Sequence, residues 1–296
     1  RKSFVKYLQR NKVKVVFAEY GTVGAEIFNE CKSANVPLVV TFRGYDVHHR
    51  KVVALHKEKY AAMFKSCAAV VAVSKDIQST LQRNFEISQT VYYLPSPVNT
   101  DLFQFLAERP GKNVFLYVGR FAESKSPHLV ILSFYEVLKT LPDATLIMIG
   151  STGASDLQEA CMILVRALKI EVSVIFKGVQ TPEQVYEQMC KADVFVQHSL
   201  TTPLFGDREG TPVSVREAMA AGLPVVATKH AGIEEMIENG VHGILVEEYD
   251  YMAMSEAMME LCKQPELGKQ LAANASAALR SNPLLKHHSQ QLVNII

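Results

Sequence analysis

The chain has 296 residues, 48% of them hydrophobic, which is enough for two packed domains of ordinary size. Its 31 basic and 30 acidic side chains leave a net charge of +1, so the charge balance gives no reason to expect a nucleic-acid partner. Five widely spaced cysteines fit neither a disulfide framework nor a zinc site, and they favour a reducing, cytoplasmic compartment.

Short runs rich in β-branched residues alternate with helix-length segments along the whole chain, which is typical of parallel sheets covered by helices. The first four predicted strands are 13–18, 37–42, 68–73 and 91–94. A segment with two prolines and several turn-forming residues, 95–101, follows them and places a domain boundary near residue 104. Six further strands are predicted at 114–119, 144–150, 172–178, 194–198, 224–228 and 243–246.

The predicted fold class is therefore α/β, with two doubly wound, Rossmann-like domains at 1–104 and 105–280. Helices at 251–262 and 267–279 end the second domain, and the C-terminal segment 281–296 is predicted to form a last amphipathic helix. Ligands of such folds bind outside the carboxyl ends of the strands. We expect a site in the cleft between the two sheets.

Two cations follow the first strand of the second domain. Gly119 ends that strand, and Arg120 and Lys125 come before a helix predicted to begin near Ser126. Cations at a strand's carboxyl end beside a helix N-terminus suit an anion such as a phosphate or diphosphate. The alternative is a pair of solvated cations after a strand, since charged residues are mostly exposed.

Two glutamates, Glu209 and Glu217, lie eight positions apart in the sequence. Thr211 and Pro212 between them predict a helix start, with a hydroxyl cap followed by a proline at the first helical position. Glu209 is then in the loop before the helix, and Glu217 is about one and a half turns inside it, roughly 9 Å further along the axis. At that separation the two carboxylates are expected to contact different parts of one ligand.

The loop that carries Glu209, residues 200–210, is long and contains a proline and two glycines. Gly210 allows the backbone to approach a ligand closely. The amides of Val213 and Ser214 at the helix start can donate to sugar hydroxyls or phosphate oxygens. The alternative is a routine strand-to-helix loop with an exposed acid.

The run EGTPVSVREAMAAGLPVVAT, 209–228, resembles the E-x7-E signature of retaining glycosyltransferase family 4. Segment 118–120 with Lys125 resembles that family's donor-phosphate element, and GIEEMI, 232–237, resembles the helix after its next strand. These enzymes have the GT-B fold, in which two Rossmann-like domains face a cleft. The resemblance implies this fold for the chain.

The first domain resembles the family more loosely, through VTFRGYD at 40–46 and AVSK at 72–75. Together with GDREG at 206–210, these segments are most similar to exopolysaccharide-building members of the colanic acid type. The family's opening strand, glycine-rich loop and helix have no counterpart before Val13. We therefore expect the first domain to be incomplete and the active site partial.

The resemblance implies a retaining hexosyltransferase that moves a sugar from a nucleotide-diphosphate sugar to a glycan or lipid-linked acceptor in polysaccharide biosynthesis. Arg120 and Lys125 would hold the diphosphate, Glu217 would accept hydrogen bonds from the ribose, and Glu209 would bind the sugar near its anomeric carbon. The predicted donor-binding residues are Gly119, Arg120, Lys125, Val179, Gly210, Thr211, Pro212, Val213, Ser214 and Glu217. Glu209, Arg120 and Lys125 are the predicted catalytic residues.

No metal and no cofactor are expected beyond the nucleotide sugar itself. The chain contains no Asp-x-Asp pair, the motif with which the other glycosyltransferase architecture binds a divalent metal. Four of its nine histidines form two adjacent pairs, His48-His49 and His287-His288, rather than the i and i+4 spacing of a helical metal site.

The predicted acceptor side contains Glu19, Arg43 and Asp46. Arg43 and Glu19 stand where the family often has histidines, and arginine cannot act as a base because its pKa exceeds about 12. Arg43 can bind an acceptor phosphate or carboxylate, or it can simply pair with Asp46. Glu19 can have a polar role or be a solvated strand end.

The segment 48–65 is basic and amphipathic, and no apolar run approaches the ~18 residues of a membrane span. We expect a soluble chain that contacts a membrane at most peripherally. This helix could rest on anionic lipid where a lipid-linked acceptor is presented, or it could be an ordinary solvated helix.

Two other functions are compatible with the sequence. One is an enzyme of another class on the same fold, either a sugar-nucleotide epimerase or a glycan phosphorylase, and the latter needs a pyridoxal phosphate lysine. The other is a non-catalytic nucleotide-sugar-binding fragment or scaffold.

Overall fold

The computed structural model describes residues 2–151 and 156–295, which form two compact units. The first unit contains the chain up to Ser96, the segment Thr202–Thr211 and the C-terminal residues from Pro283. The second contains Pro97–Thr201 and Pro212–Asn282. The units therefore differ from the predicted boundaries near residues 104 and 280 mainly because 97–104 contacts the second unit and Thr202–Thr211 contacts the first.

The first unit has a parallel sheet of four strands in the order β1-β2-β3-β4. The strands are β1 (Val16–Glu19), β2 (Leu38–Phe42), β3 (Ala69–Ala72) and β4 (Val91–Tyr93). All of β2 and β3 is buried, as their runs of valine and alanine predict. Because Glu19 pairs with Thr41 and Phe42 with Ala72, the residues after these strands lie along one edge of the sheet.

Among the described residues, five helices of this unit lie before or between its strands. They are α1 (Lys2–Arg10), α2 (Gly21–Ala34), α3 (Tyr45–His48), α4 (Arg50–Phe64) and α5 (Lys75–Asn84). Ser74 caps α5, because its hydroxyl accepts a hydrogen bond of 3.1 Å from the Ile77 amide. The serine of the AVSK segment, 72–75, therefore joins β3 to α5 as a helix cap.

The second unit has a six-stranded parallel sheet in the order β10-β9-β8-β5-β6-β7. Its strands are β5 (Val114–Val118), β6 (Thr145–Ile149), β7 (Val174–Gly178), β8 (Val194–Gln197), β9 (Val225–Thr228) and β10 (Ile244–Val246). All ten predicted strands are present, with ends displaced by at most a few residues. The direction of winding reverses between β5 and β8, since β5 leads to β6 on one side and β8 leads to β9 on the other.

Six α-helices are described in this unit. They are α6 (Pro127–Leu138), α7 (Leu157–Leu168), α8 (Pro182–Lys191), α9 (Val213–Ala220), α10 (Tyr251–Lys263) and α11 (Pro265–Ser281). The predicted helix at 232–237 is wrong, because this stretch contains only the end of a short 3-10 turn, Ala231–Ile233. Within the described part of the chain, no helix is both long and apolar enough to cross a membrane.

The chain ends with α12 (Pro283–Lys286) and α13 (His288–Ile295), so the predicted last helix is interrupted at His287. Leu292 and Ile295 of α13 pack on the face of the first unit's sheet that contains Val39, Val71 and Leu94. The last residues thus belong by packing to the unit that also contains the first ones.

Candidate functional site

The reversal of winding in the second unit marks a candidate ligand site. At such a point the loops after two neighbouring strands turn in opposite directions and leave a crevice outside their carboxyl ends. Here the two loops are the one after β5, which contains Arg120 and Lys125, and the one after β8, which leads to α9 and Glu217. Of the residues that the sequence singled out in this unit, Arg120, Lys125 and Glu217 therefore belong to the two connections that flank the switch point, whereas Val179 follows the edge strand β7.

The loop after β5 is tightly packed at its glycines. Gly150 has φ 153°, and a Cβ there would lie 1.8 Å from the Gly119 carbonyl oxygen. A Cβ on Gly119 would lie 2.9 Å from Cδ of Lys125, so the lysine stem runs directly over this glycine. Lys125 is buried and Arg120 is exposed, although both cations come from one loop.

Helix α9 begins at Val213, later than its sequence predicted. Pro212 is the residue before the first helical turn, and no side chain caps the helix. The Thr211 hydroxyl instead donates to the Val73 carbonyl oxygen over 3.4 Å within the first unit. The predicted threonine cap is thus wrong, because a tertiary contact takes the hydroxyl away from the helix.

Polar side chains fix the start of α9 against β8 in the second unit. Ser214 donates to the Gln197 side-chain oxygen over 3.1 Å, and the Gln197 amide donates to the Ser199 hydroxyl over 2.9 Å. The Thr228 hydroxyl donates to the Ser199 carbonyl oxygen over 2.6 Å. The ends of β8 and β9 and the first turn of α9 are therefore one hydrogen-bonded group.

Glu217 lies on α9 and is largely buried. Burial removes water from its carboxylate and raises its pKa to about 7. A carboxyl group with this pKa changes charge close to neutrality. It is well suited to accept hydrogen bonds from ligand hydroxyls, because a ligand can supply the partners that burial removed.

Glu209 belongs to a different unit from Glu217. It lies in Thr202–Thr211, which is part of the first unit, whereas α9 is part of the second. A Cβ on Gly210 would lie 2.4 Å from the Arg43 carbonyl oxygen, so only glycine permits the backbone beside Glu209 to pass there. Gly210 thus allows a close approach, as the sequence predicted, but of backbone to backbone.

The three acceptor-side residues lie together at the edge of the first unit's sheet. Arg43 pairs with Glu19, through a 2.6 Å hydrogen bond from Nε and a second contact from its terminal nitrogen, and it donates to Ser96 over 3.1 Å. The predicted alternative, a side-chain pair between Arg43 and Asp46, is wrong. Asp46 is fully buried and accepts from the backbone amides of Gly21, Arg43 and Gly44 at 2.7 to 3.0 Å.

The chain matches two sequence families along its length. Residues 98–278 match the family described as glycosyl transferases group 1, and residues 1–102 match glycosyltransferase family 4. The first match alone covers more than half of the chain. The chain belongs to the group 1 glycosyltransferases.

Curated relatives within this family include proteins of exopolysaccharide synthesis. The chain is 27% identical over 256 residues to the amylovoran biosynthesis glycosyltransferase AmsK of Erwinia amylovora, which covers 83% of this chain and 61% of that protein. It is also 27% identical to WcaL of Escherichia coli strain K12, a protein named for colanic acid biosynthesis, again over 83% and 61% of the two chains. The chain thus spans about three-fifths of the length of these relatives.

Solved structures of other proteins share the fold. The Anabaena protein Alr3699/HepE, solved in complex with UDP-glucose, has a TM-score of 0.83 at 18% identity, covering 99% of this chain and 81% of its own. The sucrose-phosphate synthase of Thermosynechococcus elongatus has a TM-score of 0.82 at 19% identity, covering 99% and 76%. The predicted GT-B fold is therefore confirmed.

One polar cluster in the second unit was not predicted. His230 Nδ1 lies 2.6 Å from a carboxylate oxygen of Glu248, and the other oxygen of Glu248 accepts from the Thr201 amide over 2.9 Å. His230 follows β9, Glu248 follows β10 and Thr201 follows β8. Polar residues within four positions of the ends of three neighbouring strands were a readable signal, because parallel strands end at one edge of a sheet.

Val179, one of the predicted donor-binding residues, directly follows β7 and is 73% exposed. The strand is the edge strand on one side of the sheet, two positions from β5. Among residues 2–151 and 156–295, no group of three or more histidines, cysteines, aspartates or glutamates could hold a metal ion.

Proposed function

We propose that this protein is a retaining hexosyltransferase that moves a sugar from a nucleotide-diphosphate sugar to a glycan or lipid-linked acceptor in polysaccharide synthesis. Membership of the group 1 glycosyltransferases supports the general activity. The observation that carries the proposal is that Arg120 and Lys125 lie in the connection after β5 and Glu217 lies on the helix after β8, the two connections that flank the switch point of the parallel sheet. Cations can bind the diphosphate of a nucleotide, and a buried hydrogen-bond acceptor can bind its ribose hydroxyls.

In this proposal the diphosphate lies against Arg120 and Lys125, and the amides of Val213 and Ser214 donate to its oxygens. The first turn of a helix suits this purpose, since its N–H groups have no intrahelical partners. Glu217 accepts hydrogen bonds from the ribose. The base lies toward the edge strand β7, which is followed by the exposed residue Val179.

The transfer step needs no protein nucleophile. The acceptor hydroxyl oxygen bonds to the anomeric carbon on the face that the diphosphate leaves, the carbon–oxygen bond to the phosphate breaks, and the hydroxyl proton passes to a phosphate oxygen. Configuration is retained because attack and departure share one face. Arg120 and Lys125 stabilise the negative charge that grows on the leaving group, and this term is commonly the largest in such catalysis. Glu209 binds a hydroxyl of the sugar.

We propose fewer acceptor-binding residues than the sequence predicted. Asp46 is fully buried among backbone amides, and burial raises its pKa, so it holds the loop before α3 rather than contacting an acceptor. Arg43 retains partial exposure while it is paired with Glu19. An acceptor phosphate or carboxylate would compete with Glu19 for this guanidinium.

We further propose that α4 makes a peripheral contact with anionic lipid. Leu55 is 79% exposed on this helix, and the neighbouring Lys57 is also exposed. Lys59 is engaged by Glu26, and the Lys51 ammonium lies 4.3 Å from the centre of the Phe205 ring. Co-sedimentation with vesicles of phosphatidylcholine, with and without phosphatidylglycerol, tests the contact. Leu55→Asn should weaken binding to the anionic vesicles, and equal sedimentation with both vesicle types would contradict it.

Calorimetric titration of UDP and GDP tests the donor site. Arg120→Ala and Glu217→Ala should each weaken the binding of whichever nucleotide binds by roughly 10- to 100-fold, the usual range for a lost charge-assisted hydrogen bond. Arg166→Ala, an exposed arginine in the last turn of α7, is the matched control. Unchanged affinity in both site variants would reject the assignment.

Turnover separates an enzyme from a binding scaffold. Sugar-nucleotide hydrolysis by the full protein should be abolished by Glu209→Ala, while nucleotide affinity is retained. NMR of the first sugar released should show the anomeric configuration of the donor. Nucleotide binding without any turnover would favour the scaffold, and release of a sugar phosphate from glycan would favour a phosphorylase.

A further inference from the structure

Thr202–Thr211, the segment that carries Glu209, is fastened to the first unit at several points. The Arg50 amide donates to the Phe205 carbonyl oxygen over 2.8 Å, and the Phe205 ring stacks on His49 with ring centres 4.9 Å apart. Within the segment, the Thr202 amide donates to the Asp207 carbonyl oxygen and the Asp207 amide donates to the Thr202 hydroxyl, each over 2.9 Å. The first half of the segment is thus a closed loop attached at Phe205.

The second half passes directly against the loop between β2 and α3. Gly44 has φ 132°, and a Cβ there would lie 2.8 Å from the Arg208 carbonyl oxygen. A Cβ on Gly210 would lie even closer, 2.4 Å, to the Arg43 carbonyl oxygen, as described above. The backbone on both sides of Glu209 is therefore confined by the same loop.

The Arg208 side chain also attaches the segment to the first unit, because it contacts both His48 and Asp76. These three residues are called the triangle below. One terminal nitrogen of Arg208 lies 3.0 Å from Oδ1 of Asp76, and Nε of Arg208 donates to Nδ1 of His48 over 3.3 Å. Nε2 of His48 lies 3.0 Å from Oδ2 of Asp76. Each of the three side chains thus contacts the other two.

The three side chains are complementary in charge and hydrogen bonding. Arginine is only a donor, so Nδ1 of His48 accepts from Arg208, and Nε2 is the ring nitrogen close to Asp76. Burial acts to raise the pKa of Asp76, but the contact with His48 and the charge of Arg208 outweigh it and keep the pKa below its ordinary value. Asp76 is therefore a carboxylate near neutral pH, and the Arg208 guanidinium has a fixed counter-ion.

We propose that His48, Asp76 and Arg208 are positioning residues that hold Glu209 in its place for sugar transfer. The inference rests on the proposed function of Glu209. Arg208 directly precedes Glu209, so fixing the guanidinium limits the backbone angles from which the Glu209 side chain starts. A displacement of about 1 Å in such a group can cost on the order of 100-fold in rate.

The central variant is Asp76→Asn, which keeps the size of the side chain and removes its charge. It should lower kcat for donor turnover roughly 10- to 100-fold and leave nucleotide affinity unchanged, because Arg120, Lys125 and Glu217 belong to the other unit. Arg83→Gln, in the last turn of α5, removes another arginine near Asp76 that is not part of the triangle and is the matched control. It should leave kcat within about threefold of the native value.

A non-additivity test distinguishes positioning from a general structural role. In a Glu209→Gln background, Asp76→Asn should lower the residual turnover no further, because the group that it positions is already gone. A further drop of similar size in that background would overturn the proposal. If the native protein turns over the donor, full activity of Asp76→Asn would also overturn the proposal.

Hydrogen exchange tests the hold even when no donor is turned over. Amides of Thr202–Thr211 should be protected in the native protein and should exchange faster in Asp76→Asn, while those of α9 stay unchanged. Equal protection of the segment in both proteins would overturn the inference. If the native protein shows no turnover but Thr202–Thr211 loses protection in Asp76→Asn, only the proposed function of Glu209 is refuted.

Discussion

Nucleotide binding should depend on pH through Glu217. Its pKa is about 7 in the free protein, so near neutrality the carboxyl group is half protonated. If the carboxylate form accepts the ribose hydroxyls, the apparent affinity falls by the fraction protonated. The dissociation constant should therefore rise about tenfold between pH 8 and pH 6, or about 1.4 kcal/mol.

Titration calorimetry at pH 6, 7 and 8 measures this dependence. The terminal phosphate of a nucleoside diphosphate also titrates, at about pH 6, so the native protein must be compared with Glu217→Gln. The variant retains the phosphate contribution and loses the carboxyl one. At pH 7 in buffers of different ionisation enthalpy, native binding should release about half a proton more than binding to the variant.

The same substitution has a predicted effect on stability, with a definite sign. The pKa of Glu217 is higher in the folded chain than the ordinary 4.5, so its contribution to stability is present at low pH and is lost as pH rises through about 7. Glu217→Gln should therefore stabilise the free protein at pH 8, by up to about 3 kcal/mol, and change it little at pH 5. The control Glu187→Gln, at an exposed position of α8, should leave stability unchanged at both pH values. An identical pH dependence of affinity in the native protein and Glu217→Gln would refute the reasoning.

Two further predictions concern His198 and Gly210. Burial, with the nearby His128, lowers the pKa of His198 to about 4, so the free energy of unfolding should fall by up to about 3 kcal/mol as pH drops from 6.5 to 4. His198→Leu should flatten that part of the profile in urea denaturation, and an unchanged slope would contradict it. Gly210→Ala should lower the melting temperature more than Gly119→Ala, because a Cβ at Gly210 meets the rigid Arg43 backbone whereas one at Gly119 meets the flexible Lys125 stem. Equal melting temperatures would show that the segment can move aside.

The sequence predicted the sheets well because parallel strands buried on both faces are nearly continuous apolar runs, as in β2 and β3. It also predicted that Arg120 and Lys125 come after a strand and that Glu217 lies inside a helix, and their positions after β5 and on α9 agree with this. It assigned Thr211 to the wrong partner, because local capping rules do not include the distant Val73 carbonyl oxygen. Sequence-based prediction thus failed where a tertiary contact determined the hydrogen-bond partner.

The other misses have the same cause. Arg43 pairs with Glu19, which lies 24 residues earlier, while the sequence offered the nearby Asp46. His48, Asp76 and Arg208 come from three distant segments, and no periodicity joins them. His230 and Glu248 are a different case, because each directly follows a strand and could have been found from that position alone.

The two glutamates of the E-x7-E signature take their positions from different units. Glu217 is fixed by α9, whose first turn is hydrogen-bonded to β8 in the second unit. Glu209 is fixed by Gly44, Asp76 and the rest of the first unit that surrounds Thr202–Thr211. Nucleotide affinity and sugar transfer should therefore respond to different sets of substitutions. A change at Asp76 that reduced both equally would show that the two glutamates act as one group, and the division of roles between them would have to be abandoned.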